Sequence, residues 1–163
     1  MRSFEYFTPT RVVFGKDTHL KVATLLKEQH CKKVLIHYGG HSAIKSGLID
    51  EIRSVLDEAG IAYVTLGGVV PNPRLSKVRE GIELCRRENV DFLLAVGGGS
   101  VIDSCKAIGY GLANPETEYY KFTYCVICSI LCSFHKCYRC IMNEVKYDLN
   151  LHFDNLYMLL CAS

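Results

Sequence analysis

Phe92-Leu93-Leu94-Ala95-Val96-Gly97-Gly98-Gly99-Ser100-Val101-Ile102-Asp103 is the stretch whose reading decides the fold. Five consecutive apolar residues closed by glycine fit a short strand buried on both faces of a parallel sheet. Three glycines then let the backbone approach a ligand with no Cβ in the way. Ser100 stands where a helix N-cap is expected, and Asp103, three residues on, where a capping-box acid would sit. The free N–H groups of such a helix start suit a phosphate or diphosphate. Two readings stay open on this motif alone, a phosphate cradle and a tight strand-to-helix turn with no ligand. The pattern also departs from the usual dinucleotide fingerprint, because Ile102 stands where its third glycine belongs. That fingerprint usually follows a first strand, whereas this turn follows the fourth strand expected here.

Working outward, Arg11-Val12-Val13-Phe14 ending at Gly15 reads as a strand, and residues 18–30 as a helical stretch. Val34-Leu35-Ile36-His37-Tyr38 is a largely apolar run closed by Gly39-Gly40, again a strand buried on both faces. Over residues 43–59 the apolar residues Ile44, Leu48, Ile52, Val55, Leu56 and Ala59 recur at helical spacing, and Gly60 is placed as the C-cap. Residues 61–66 predict a strand ended by Gly67-Gly68, and residues 74–88 an amphipathic helix with Leu75, Val78, Ile82 and Cys85 on one face. Between them, Val70-Pro71-Asn72-Pro73 can continue neither element, since proline fixes φ and removes a donor. Strands alternating with helices over short loops predict an α/β fold, a Rossmann-like open parallel sheet with helices on both faces. Ligands of such sheets bind beyond the carboxyl ends of the strands, where the glycine clusters at 39–40, 67–68 and 97–99 fall.

A chain of 163 residues has room for one ordinary domain, or one domain and a tail. With 49% hydrophobic and 22% charged residues it can bury a core, and a formal net charge of +2 argues against nucleic acid or an acidic membrane as the main partner. Met1-Arg2-Ser3-Phe4-Glu5 has no apolar run of the kind a secretory signal needs, so a cytoplasmic setting is expected, with Cys31, Cys85 and Cys105 as thiols. The averages conceal a break. All 13 glycines lie at or before Gly111 and all 4 prolines at or before Pro115, while six of the nine cysteines fall from Cys125 onward. Residues 1–118 and 119–163 are therefore separate problems.

Four ordered landmarks make the first segment specific. Thr8-Pro9-Thr10-Arg11-Val12-Val13-Phe14-Gly15-Lys16 resembles the opening of iron-containing alcohol dehydrogenases, in particular their butanol dehydrogenase and aldehyde reductase branch. Val34-Leu35-Ile36-His37-Tyr38-Gly39-Gly40-His41-Ser42, Val70-Pro71-Asn72-Pro73-Arg74 and Leu94-Ala95-Val96-Gly97-Gly98-Gly99-Ser100-Val101-Ile102-Asp103-Ser104-Cys105-Lys106 are similar to that branch's later landmarks. The resemblance implies a dinucleotide-binding domain over residues 1–118, with Gly97, Gly98, Gly99 and Ser100 cradling the cofactor diphosphate and Asp103 beside it. It implies further that Pro71 and Asn72 line the adenosine side, and that Gly39, Gly40 and Ser42 face the adenine ribose. An acid at this last place would favour a free 2′-hydroxyl and hence NAD. Residues 34–42 contain none, so NADP is expected ahead of NAD, with Ser42 as a donor and Lys45 nearby. Lys45 equally suits a solvated helix face.

The family's reaction, by the same resemblance, is hydride transfer between the nicotinamide and an alcohol or aldehyde at a divalent metal, iron or zinc, held by an Asp and three His of a later helical domain. No match to that metal motif occurs in this sequence, and no pair among the six histidines makes a helical ligand face; His37 and His41 lie across a strand end and a glycine turn. The expectation is a chain that binds cofactor without catalytic residues or metal ligands of its own, and that assembles, if at all, as a homo-oligomer like the family's. A non-catalytic nucleotide-binding stub is the alternative. Over residues 119–163, Cys125-x2-Cys128 and Cys137-x2-Cys140, with Cys132 and His135, allow a zinc-binding interaction module. The apolar residues 122–134 are shorter than the roughly 20 residues a membrane helix needs, so no membrane partner is expected. The loss of every turn residue favours a third reading, a non-family tail that is out-of-frame or disordered.

Overall fold

The computed structural model describes residues 13–40 and 42–113, Ser42 by its backbone alone, together with the backbone of residues 156–159. The cysteine pairs, the apolar run at 122–134, Arg11, Val12 and His41 therefore lie outside the described residues. A single 3₁₀ turn, Thr18–Lys21, leads into α1 (Val22–Glu28), then β1 (Lys33–Gly39), α2 (Ser42–Lys45), α3 (Leu48–Ala59), β2 (Ala62–Val69), α4 (Leu75–Glu88), β3 (Phe92–Val96) and α5 (Gly99–Ala113). A further strand, β4 (Leu156–Leu159), completes a four-stranded sheet in the order β2-β1-β3-β4. Every pairing is parallel, with Leu35 opposite Val64 and Leu93, and Leu93 opposite Leu156.

Two cores follow from the strand period of two. Val34 and Ile36 of β1 and Phe92, Leu94 and Val96 of β3 point to one face, where Leu26 of α1 and Ile49, Ile52 and Leu56 of α3 cover them. Leu35, Leu93 and Ala95 point to the other, against Val78, Ile82 and Cys85 of α4 and Val101, Cys105 and Ile108 of α5. All five residues of β3 are buried, as a central strand covered on both faces requires. The fold is thus the expected Rossmann-like α/β arrangement.

Several local expectations are corrected. Val13 and Phe14 are not in a strand; Phe14 is 91% exposed, and no strand among the described residues pairs with it. The helix expected over residues 43–59 is two, because Gly47 adopts a left-handed φ of 78° and interrupts the ladder between α2 and α3. Gly60 is the expected left-handed C-cap, closing α3 through its N–H to Asp57 and the Ile61 N–H to Leu56. Gly67 and Gly68 do not end β2 but lie inside it, where the register slips from His37–Leu66 to Gly39–Val69. Tyr38 of β1 is opposed by two residues of β2 there, Gly67 and Gly68, a bulge that Gly68 permits with φ 85°.

At the opposite edge of the sheet, Asp91 does what the sequence did not suggest. Its carboxylate accepts the backbone N–H groups of Lys32 (3.0 Å) and Lys33 (2.9 Å), and its own N–H donates to Lys33 O, tying the starts of β1 and β3 together. Cys31, Cys85 and Cys105 are free thiols. Burial pushes each of them up to about 12, with the Asp91 carboxylate adding to the effect at Cys31. They are packing groups rather than nucleophiles. No helix among the described residues is long and apolar enough to cross a membrane.

Candidate functional site

The sheet order, which periodicity cannot supply, places the glycine turn. β1 lies between β2 and β3, so the chain leaves β1 toward one neighbour and later returns to its other side. The helices that follow β1 cover one face, whereas α5, which follows β3, covers the opposite face. Between the carboxyl ends of β1 and β3 the connections therefore part, leaving the crevice in which open α/β sheets bind ligands. Gly39-Gly40 stand on one side of that crevice and Gly97-Gly98-Gly99 on the other.

Three segments converge there. A Cβ on Gly39 would lie 3.7 Å from both the Val69 carbonyl oxygen at the end of β2 and Val101 Cγ2 in the first turn of α5. Gly97 has φ 148°, and a Cβ on it would come within 2.8 Å of Val101 Cγ2, so this glycine is needed for the turn itself. Gly98 and Gly99 differ. A Cβ on either would meet nothing within 4 Å, and both are exposed, so open space stands over the turn where a diphosphate would sit. Gly40 faces open space in the same way.

The cap is one step earlier than expected. α5 begins at Gly99, and the Gly98 carbonyl accepts from the N–H groups of Val101 (3.0 Å) and Ile102 (3.2 Å). Gly98 is therefore the N-cap, and Ser100 lies inside the first turn with its side chain half-buried, a correction to its reading as cap. The amides of Gly98, Gly99 and Ser100 precede the first amide that finds a helical acceptor, Val101's, so they are the orphan donors of this helix. They sit at the positive end of a 15-residue helix that carries no acid in its first turn. The residues present thus fit a bound diphosphate. Asp103 is buried in the second turn of α5.

Of the other expected site residues, Pro71 and Asn72 are exposed just past the end of β2, with Asn72 in the left-handed region at φ 58°. Ser42 opens α2 directly after the Gly40 turn, but its side chain lies outside the described residues. Lys45 is exposed at the end of α2, one turn from Ser42. Ile44 and Val70, on the segments leaving β1 and β2, are 50% and 41% exposed. No group of three or more His, Cys, Asp or Glu side chains is brought together among the described residues.

By sequence His37 is one residue of the β1 run, and the structure gives it a specific place. Its ring is fully buried, with Nδ1 2.8 Å from Leu66 O and Nε2 2.8 Å from Ser104 Oγ. A carbonyl only accepts, so Nδ1 carries the proton and donates to Leu66 O, and the Ser104 hydroxyl donates to Nε2. Burial pushes this imidazole down to about 4, so it is neutral at physiological pH. The only sign in the sequence is one polar residue inside an apolar run.

Comparison with known proteins gives a consistent result. Residues 9–131 match the family described as iron-containing alcohol dehydrogenase. The chain is 46% identical over 112 residues to the NADH-dependent butanol dehydrogenase A of Clostridium acetobutylicum, covering 69% of this chain and 28% of that protein. It is 41% identical over 118 residues to an NADPH-dependent aldehyde reductase of Escherichia coli, covering 71% and 29%. Among solved structures, the NADH-dependent butanol dehydrogenase A of Thermotoga maritima superposes with a TM-score of 0.69 at 42% identity, over 74% of this chain and 30% of that one. The chain thus spans less than a third of the length of the relatives it matches.

Proposed function

The chain belongs to the iron-containing alcohol dehydrogenase family, and we propose that its residues 1–118 form that family's cofactor-binding domain, taking up NADP(H) in the cytoplasm for the interconversion of a small alcohol and its aldehyde. The observation that carries the proposal is the glycine turn at the crevice between β1 and β3, with open space over Gly98 and Gly99 and orphan amides behind it. Gly97 makes the turn, Gly98, Gly99 and Ser100 donate to the diphosphate, and Asp103 stands beside it. Pro71 and Asn72 flank the adenosine, while Gly39, Gly40 and Ser42 face its ribose.

Bound NADP(H) supplies or accepts the hydride. This chain's part is to fix the diphosphate and so aim the nicotinamide. The iron or zinc of the family finds no donor set among the described residues, so no step is assigned to a metal here. Residues 119–163 are proposed to be a tail outside the family's pattern, although the family match continues into it as far as residue 131.

The preference for NADP rests on the absence of an acid from residues 34–42 and on Lys45 one turn from Ser42. Relatives of both kinds exist by name, NADH-dependent and NADPH-dependent. Competition between NADPH and NADH for the chain decides it: tighter NADPH binding is expected, and tighter NADH binding would reverse the assignment. The 163-residue chain is expected to reduce no NADP+ when given a primary alcohol with iron or zinc. Metal-dependent turnover would show that the chain carries a catalytic centre this reading lacks.

A further inference from the structure

We propose that His37 and Ser104 are positioning residues for the phosphate turn: a single buried imidazole on β1 grips the bulge of β2 with one nitrogen and the second turn of α5 with the other. This rests on the cofactor reading above and adds to it the part that holds the turn in place. His37 lies two residues before Gly39, at the last regular pairing of β1 with β2. Its Nδ1–H donates to Leu66 O, the carbonyl immediately before the Gly67-Gly68 bulge. Its Nε2 accepts from Ser104, one helical turn below Ser100 and 67 residues away in sequence. The same interface brings Gly39, Val69 and Val101 together at the mouth of the crevice. One ring therefore ties all three segments that converge on the proposed diphosphate.

A catalytic role for the pair is ruled out by burial. His37 and Ser104 are each 0% exposed, so the hydroxyl can meet no substrate. A purely packing role would be served by an apolar side chain, as at Leu35 on the same face of β1. A polar pair at full burial is costly unless each atom is satisfied, and here each is bonded to an element that bears on the turn. Because interiors are close-packed, a loss of the Ser104 bond is felt as a shift or loosening of α5 relative to β1.

The test is Ser104→Ala, which removes the α5 limb and leaves the Leu66 limb intact. NADPH affinity, read by the change in its fluorescence, is measured at a temperature where circular dichroism shows wild type and variant both folded, with amide hydrogen exchange over residues 98–101. The variant is expected to bind NADPH about five- to tenfold more weakly, an effect the size of one buried hydrogen bond, with faster exchange in the turn. Ser104→Cys, which keeps a weaker donor in nearly the same volume, is expected to fall between the two and is the variant judged if Ser104→Ala does not fold. Affinity within twofold of wild type, with only the melting temperature lowered, would overturn the proposal and leave the cofactor reading standing. A folded wild-type chain that does not bind NADPH would overturn both.

Discussion

Two adjacent glycines in the phosphate turn separate what the fold needs from what a ligand needs. At Gly97 the backbone is left-handed and a Cβ would press on Val101 Cγ2 at 2.8 Å, so Gly97→Ala is expected to destabilise the chain by about 1–3 kcal/mol. At Gly98 a Cβ meets nothing within 4 Å, so a larger side chain there should cost only the loss of a glycine N-cap, about 0.5–1 kcal/mol. Melting curves of the two variants check the contrast; equal losses would mean that the open space over Gly98 is absent in solution. His37 makes a second prediction at this scale. Its ordinary value of 6.5 falls to about 4 in the folded chain, chiefly through burial; Lys77 pushes the same way and Glu80 against it, and the Leu66 carbonyl opposes the shift. Between these values the unfolded chain binds a proton that the folded chain refuses. The contribution of this imidazole to stability is therefore expected to be complete above pH 6.5 and to be lost as pH falls toward 4, by about 3 kcal/mol in total. Urea unfolding at pH 7.5, 6 and 5 measures it, with His37→Asn as the control in which this slope should disappear. An identical slope in the control would assign the acid sensitivity elsewhere.

The elements differ in how far the sequence discloses them. β1 and β3 are legible because burial on both faces forces apolar runs, and α4 because its apolar residues keep helical spacing. The Gly67-Gly68 pair misleads, since two glycines signal a chain reversal and a β-bulge equally well, and only the strand opposite decides which. The break at Gly47 is hidden because Ile44 and Leu48 keep the helical period across it, although Ile44 is half exposed. Gly98 rather than Ser100 caps α5 because the start of the helix is set by which carbonyl first accepts, and glycine caps without leaving a side-chain signature. Sheet order is a long-range fact with no local trace, and the His37–Ser104 bond leaves only a polar residue in an apolar run, with no hint of its partner. The packing of α4 on α5 offers its own test. Gly81 is buried in that contact, and a Cβ on it would stand 2.4 Å from Ile108 Cδ1 and 3.1 Å from Leu66 Cδ2. Gly81→Ala should push the two helices apart and cost about 1–3 kcal/mol by urea unfolding. A neutral effect would show that Ile108 repacks freely.

Over the whole molecule, the candidate site and the Asp91 clamp occupy opposite edges of one parallel sheet, so binding and stability can be altered separately. Asp91→Ala should lower stability by about 1–3 kcal/mol, since it strips two backbone amides of their acceptor, while leaving cofactor affinity as it is. A parallel loss of affinity would mean that the two edges are not independent. Completion of the sheet by β4 gives residues 156–159 a place beside β3, so a chain ending at residue 150 should show faster hydrogen exchange over β3 than over β1. Unchanged protection of β3 would detach that segment from the sheet. The cofactor assignment requires that the crevice between β1 and β3 hold a dinucleotide. Its most direct test is a fluorescence titration of the 163-residue chain and its Gly98→Val variant with NADPH, with circular dichroism of both. Saturable binding by the wild type and none by an equally folded variant is the expected outcome. Equal binding by the two, or none by a folded wild type, would contradict it.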